Sequence, residues 1–279
     1  MKSSFKKLNS KSWERFLEPL LKILPQITPL VSSGDRPLQM TFEDQLRILI
    51  YYHLGEYTSG RHLIQALEEE EFAKSNIAPK KGISKSSFFE AMNTRGLEQL
   101  MEVFEGLQLQ ASTILEFEKS DLGNLIAIDG SLIDGVLSMD WASYRKDNKK
   151  AKAHIGFNIN NGVPCKSFVS NGNTAERPFV SQILKEGETS VTDRGYQCNK
   201  SFDELQDEGK FFICRIKKNT RKTVVRSNPI PEGALVFYDS IVTLGSENSL
   251  QTKRDLRLIA YTIEGVEYWI ATNRNDLKP

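Results

Sequence analysis

The chain has 279 residues, 26% of them charged and 39% hydrophobic, with a formal net charge of +1. That length can bury a full-sized core with a smaller domain beside it. The near-zero charge leaves no global field marking a nucleic-acid binder, so any such signal has to be local.

No run approaches the roughly 18 apolar residues of a membrane span. The basic start is not followed by a signal-peptide core, because Leu17-Glu18-Pro19-Leu20-Leu21-Lys22 is broken by charge and proline. A cytoplasmic protein without a membrane partner is expected. Cys165, Cys198 and Cys214 are odd in number, well separated and without CxxC spacing, which fits reduced core thiols better than disulfides or zinc.

Phe16, Leu17, Leu20, Leu21 and Leu24 have helical spacing, and residues 25–37 read as a connector containing proline and serine. Thr41 can cap a second helix, with Asp44 three residues on as an imperfect capping box. Phe42, Leu46, Leu49, Ile50 and His53 form its face, which makes His53 a core-edge residue. A third helix, 61–71, ends in four glutamates that read as a solvated face. Lys80, Lys81 and Gly82 then form a basic turn feeding a helix that Ser84 could cap. Helix-turn-helix proteins present such an entry to phosphates, although basic helix starts are common in general. Leu97, Leu100, Met101, Phe104 and Leu107 continue a helical face, so residues 1–120 read as an all-helical domain.

The texture then changes. Leu125-Ile126-Ala127-Ile128-Asp129-Gly130-Ser131 reads as a short buried strand, and Gly130 permits a sharp exit that leaves Asp129 at the strand's end. Chemistry sits at such ends in α/β folds, but a lone aspartate there also serves as a turn or cap. The amphipathic stretch 132–144 leads into Arg145, Lys146, Lys149, Lys150 and Lys152, opposed by Asp147. This cluster suits either a phosphate backbone or a solvated loop. Residues 154–160, the turn Asn161-Gly162 and residues 165–170 read as a β-hairpin. His154, at its start, has no metal-site spacing and reads as structural. A helix at 175–184 precedes the strand Thr189-Ser190-Val191-Thr192, which ends in Asp193-Arg194-Gly195-Tyr196 and repeats the pattern strand, aspartate, glycine. A helix at 201–208 and a strand at 211–216 follow.

Strand, hairpin, helix, strand, helix, strand is the order of a ribonuclease H-like α/β core, in which Asp129 and Asp193 can meet at neighbouring strand ends. Paired carboxylates suit Mg²⁺ or Mn²⁺, and two such ions about 4 Å apart promote phosphodiester cleavage. The alternative is two unrelated turn aspartates.

Ile128-Asp129-Gly130-Ser131, Lys152-Ala153-His154-Ile155-Gly156-Phe157, the stretch from Gly172 to Phe179 and Thr192-Asp193-Arg194-Gly195-Tyr196 together resemble bacterial insertion-sequence transposases. The similarity is to the insertion-sequence-four group of DDE enzymes. It implies that Asp129 and Asp193 are the first two metal-binding carboxylates of a triad and that the helical region, 1–120, helps bind transposon ends. The catalytic core would be 121–222. A β-rich insertion, 223–279, would separate it from the helix carrying the third carboxylate. Strand-like runs at 223–225, 234–238, 240–244, 256–262 and 267–271 match that insertion. Arg215, Lys217, Lys218, Arg221, Lys222 and Arg226 form the densest basic patch. Of these, the first five, together with Arg194 and Tyr196, are the DNA-binding candidates.

The family's Tyr, Arg, Glu, Lys signature, whose Glu is the third ligand, is expected just past residues 268–277, and the sequence stops at Pro279. Glu264 and Glu267 flank Gly265 in a hairpin, and Glu204 and Glu208 lie on the helix after Asp193, so none is a good substitute. The resemblance therefore implies a C-terminally truncated transposase, impaired in metal-dependent strand cleavage and strand transfer and carrying exposed apolar surface. Its partners would be terminal inverted repeats, target DNA and a second copy in a homodimer on DNA. The alternatives are a non-catalytic fragment that occupies transposon ends as a repressor, or a self-sufficient ribonuclease H-like nuclease using one of its own glutamates.

Overall fold

A computed structural model describes every residue except 1–8, 33–36, 117, 119, 136–138, 147, 247–249 and 277–279. The basic start, part of the 25–37 connector, Asp147 and the last residues of the supposed pre-helix loop thus lie outside the described residues. The chain divides into two compact units, Met1–Ile114 and Leu115–Pro279.

The first unit consists of α1 (Ser10–Ile23), α2 (Phe42–Leu54), α3 (Gly60–Glu69), α4 (Glu71–Asn76), α5 (Lys85–Thr94) and α6 (Leu97–Ile114), with a 3-10 turn after α1. Side-chain caps set several starts. Thr41 Oγ1 accepts from the Asp44 N–H while the Asp44 carboxylate accepts from the Thr41 N–H, a complete capping box. Ser84 likewise caps α5 by accepting from the Ser87 N–H. The single helix expected over 61–71 breaks at Glu70, whose extended backbone starts a new helix and whose carboxylate accepts from Tyr51 Oη at 2.9 Å. His53 is exposed, because the buried stripe of α2 runs through Gln45, Ile48 and Tyr51 instead. Trp13, Leu17, Ile48, Leu63, Ile77 and Phe88 are among the core residues.

The second unit is built on one ten-stranded sheet. In chain order its elements are β1 (Leu125–Asp134), β2 (Ser143–Tyr144), β3 (Asn148–Asn158), β4 (Val163–Asn171), α7 (Arg177–Ile183), β5 (Thr189–Thr192), α8 (Asn199–Asp207), β6 (Phe211–Arg215), β7 (Lys222–Ser227), β8 (Val236–Leu244), β9 (Leu256–Ile263) and β10 (Val266–Thr272). β1, β3 and β4 pair antiparallel, while β1, β5 and β6 pair parallel. This mixed order is consistent with a ribonuclease H-like core. β10 pairs antiparallel with β6, so β7 to β10 extend the same sheet. The runs 234–238 and 240–244 merge into one strand with a register shift between Val236 and Tyr238.

The sheet's two faces differ. α7 and α8 cover one of them, burying Ile126, Ile128, Val180, Ile183, Phe202 and Phe212 in a common core. On the opposite face Ile155 and Phe157 are each 40% exposed and Val169 is 65% exposed. The strands' two-residue period assigns these side chains to that bare face. Packing on the helix face is close at Gly156, where a Cβ would stand 2.4 Å from Ile183 Cγ2 and 3.0 Å from Cys165 Sγ. Gly156→Ala should therefore overpack the α7 contact and cost about 1–3 kcal/mol, read as a lower urea midpoint; an unchanged midpoint would contradict this packing. Among the described residues no helix is long and apolar enough to cross a membrane.

Candidate active site

Asp129 is not at a strand end. β1 continues to Asp134 because β3 pairs with it throughout, from Ile126↔Asn158 to Asp134↔Lys150, with Asp129 opposite Ile155 and Gly130 opposite His154. On its other side β1 loses its neighbour early, since the last pair with β5 is Ala127↔Val191. Asp129 and Asp193 each lie two residues past that pair. They are therefore level with each other on adjacent parallel strands, whose spacing is about 5 Å.

Alternation puts them on one face. Ile126 and Ile128 point into the helix-side core, as do Ser190 and Thr192 of β5, so Asp129 and Asp193 both project from the bare face. Both are exposed. Asp129 Oδ1 accepts from the Gly130 N–H at 2.8 Å, and Asp193 Oδ1 lies 3.7 Å from Arg215 Nη1. Behind Asp193, buried Cys214 donates its thiol to the Asp193 carbonyl, and burial pushes that thiol up to about 11. All three cysteines are unpaired thiols.

The predicted basic patch is divided by the sheet's pleat. Arg215 shares the carboxylate face and stacks over Tyr268 at 4.8 Å. Lys222 pairs in register with buried Leu244 and stands over Trp269 at 4.8 Å, on the helix face. Lys218 is held by Glu267 at 2.8 Å. Arg194, Lys217, Arg221 and Arg226 are exposed. Tyr196, a DNA-contact candidate from the sequence, is only 5% exposed and lies in the core, because the turn after Asp193 folds its ring under the sheet. Of the second basic cluster, the three lysines on β3 are paired, Lys149 with Asp140, Lys150 with Asp134 and Lys152 with Glu176, whereas Arg145 and Lys146 precede that strand and are exposed.

A polar cluster that sequence reasoning did not single out lies behind Asp129, on the helix face. His154, 1% exposed and in mid-strand, stacks on Phe179 at 3.7 Å, and its Nε2 is 2.8 Å from Ser170 Oγ. Burial, followed by the nearby Lys152 charge, lowers its pKa, against a smaller upward pull from Glu176. Glu176 faces the Tyr196 hydroxyl without closing a hydrogen bond of normal geometry. Burial, then the charges of Glu176 and Asp129, push the phenol's pKa up. In the sequence, Glu176 falls within the transposase-like stretch from Gly172 to Phe179.

Among the described residues, no group of three or more His, Cys, Asp or Glu side chains is placed to hold a metal ion. Glu176 packs over Gly130, on the face of β1 opposite Asp129. Glu267 is paired with Lys218, Glu204 with Lys200 and Glu208 with Lys210, and Glu264 occupies the β9–β10 turn at φ 51°. Two exposed carboxylates at one level nevertheless fit a hydrated hard cation, which binds through one or two carboxylates plus substrate phosphates.

The family described as Transposase DDE domain matches residues 121–264, more than half of the 279-residue chain. The chain belongs to the DDE transposase domain family. Asp129, Glu176 and Asp193 of the DDE domain all lie within the matched stretch. Among solved structures, one similar to the chain is the cryo-EM structure of piggyBac transposase synaptic complex with hairpin DNA, at TM-score 0.40 and 9% identity. The alignment covers 99% of this chain and 54% of that one, so the DDE chain spans about half that protein's length. No curated protein sequence matches the chain significantly.

Proposed function

We propose that the chain is a DNA transposase of the bacterial insertion-sequence-four group, cleaving at terminal inverted repeats and joining the freed 3′ hydroxyl to target DNA. One observation carries this reading: Asp129 and Asp193 stand level on adjacent parallel strands and project from the same face. These carboxylates would hold Mg²⁺ or Mn²⁺. When bound, such an ion activates a nucleophile and neutralises charge on the phosphodiester. Arg215 sits beside Asp193, where its guanidinium can reach a phosphate on the same face. Arg194, Lys217 and Arg221 add exposed positive charge for the DNA backbone. In the helical unit, Lys80, Lys81 and Lys85 at the capped start of α5 suit a phosphate contact to the transposon end.

The test uses the full chain with duplex DNA carrying terminal repeats. Retardation in a gel together with Mn²⁺-dependent nicking is the expected result. Retardation without nicking favours the reading in which the chain only occupies transposon ends as a repressor. A chain with both aspartates intact that binds no Mn²⁺ would sink the metal-site reading.

A further inference from the structure

The connection between β4 and α7 grips both strands that carry the aspartates, from the side away from them. Glu176 lies over Gly130, where a Cβ would come within 2.8 Å of its Cδ and 2.9 Å of its Oε1. Glycine is needed there for this approach, since its φ is not positive and β1 does not turn. Lys152 Nζ, on β3, is 3.1 Å from Glu176 Oε1 and also donates to the Thr174 carbonyl at 3.0 Å. The Lys152 side chain is 12% exposed and that of Glu176 28%, so the pair is shielded and worth more than an exposed one. The same connection also holds the turn after Asp193: Arg177 Nε donates to the Gly195 carbonyl at 3.2 Å, and the Tyr196 hydroxyl, enclosed and without a partner among the described residues, faces Glu176.

Resting on the metal-site reading above, we propose that Glu176 is a positioning residue that sets the spacing of Asp129 and Asp193 for a divalent cation. It acts through Lys152, Gly130 and the Arg194–Tyr196 turn. It is not itself a ligand, because it lies across β1 from Asp129. Outer partners of this kind are worth about 10–100-fold in metal affinity.

The experiment is an electron paramagnetic resonance titration of the full chain with Mn²⁺, in the absence of DNA, with thermal melts of every variant. Asp129→Ala should bind no Mn²⁺. Glu176→Ala should bind it about tenfold or more weakly, and Glu176→Gln, which keeps the shape and can still accept from Lys152, should recover part of the loss. Lys152→Met and Gly130→Ala, which disturb the two contacts of Glu176 separately, should each weaken binding while the chain remains folded. If Asp129→Ala abolishes binding but folded Glu176→Ala and Glu176→Gln bind like the wild type, the positioning role is overturned and the metal site stands. If Asp129→Ala binds as well as the wild type, the metal-site reading fails, and this inference fails with it. A lowered melting temperature with unchanged Mn²⁺ affinity would reduce Glu176 to a structural residue and overturn the proposal.

Discussion

Asp129→Ala and Asp193→Ala should each lower Mn²⁺-dependent nicking of terminal-repeat DNA by about 100-fold or more, the scale expected when one preorganised electrostatic group is removed from an active site. Each tenfold step corresponds to about 1.4 kcal/mol of lost transition-state stabilisation. Neither variant should unfold. Both side chains are exposed, and the contacts they lose are a hydrogen bond from the neighbouring Gly130 N–H and a 3.7 Å approach of Arg215. Substitutions at such surface positions usually stay within about 0.5 kcal/mol. The double variant should be little worse than either single one, because the two carboxylates would hold the ion as a unit. Nicking that survives in both single variants would remove the aspartates from the chemistry.

A second large effect is expected far from that pair. Asp239 on β8 and Arg257 on β9 form a buried ion pair, with Nε to Oδ1 at 3.0 Å, Nη2 to Oδ2 at 2.5 Å and side chains 0% and 4% exposed. Asn228 Nδ2 adds a hydrogen bond to Asp239 at 2.8 Å. Removing one partner leaves the other charge buried, so Asp239→Ala should cost about 3–5 kcal/mol in urea unfolding at neutral pH. Replacing both residues by apolar ones of similar volume should recover most of that loss, because desolvation of the pair consumes much of what it contributes.

The same pair predicts a pH dependence. Burial pushes the Asp239 carboxyl up, but hydrogen bonds from Arg257 and Asn228 and the Arg257 charge outweigh it and hold the pKa below the ordinary 3.8. The folded value is thus lower than the unfolded one. The stabilisation is fully present above about pH 4 and is lost as the pH falls through the folded value. Urea midpoints of the wild type should drop in that acid range more steeply than those of Asp239→Ala; parallel curves would contradict the assignment.

Several features of the fold are local enough to read in one dimension. The caps at Thr41 and Ser84 depend on a side chain and an amide three residues away, and both form as expected. The Asn161-Gly162 turn needs only a left-handed glycine, and Gly162 has φ 70° between two paired strands. The strand at 189–192 was legible from its β-branched run and ends immediately before Asp193.

The tertiary structure decided what depends on neighbours distant in sequence. β1 runs past Asp129 because β3 supplies hydrogen-bond partners as far as Asp134, and nothing in residues 125–131 encodes where a partner strand stops. Gly130, expected as a turn, instead makes room for a glutamate 46 positions later in the chain. The basic residues from Arg215 to Lys222 look like one patch in sequence and are split between two faces by the pleat. The sequence by itself determined the strands that lead to Asp129 and Asp193 and the resemblance to DDE transposases, since these rest on short motifs and local periodicity. That Asp129 and Asp193 stand level on one face, with Glu176 behind them on the other, was decided only by strand register and side-chain alternation. Those are set by pairing between segments about 60 residues apart.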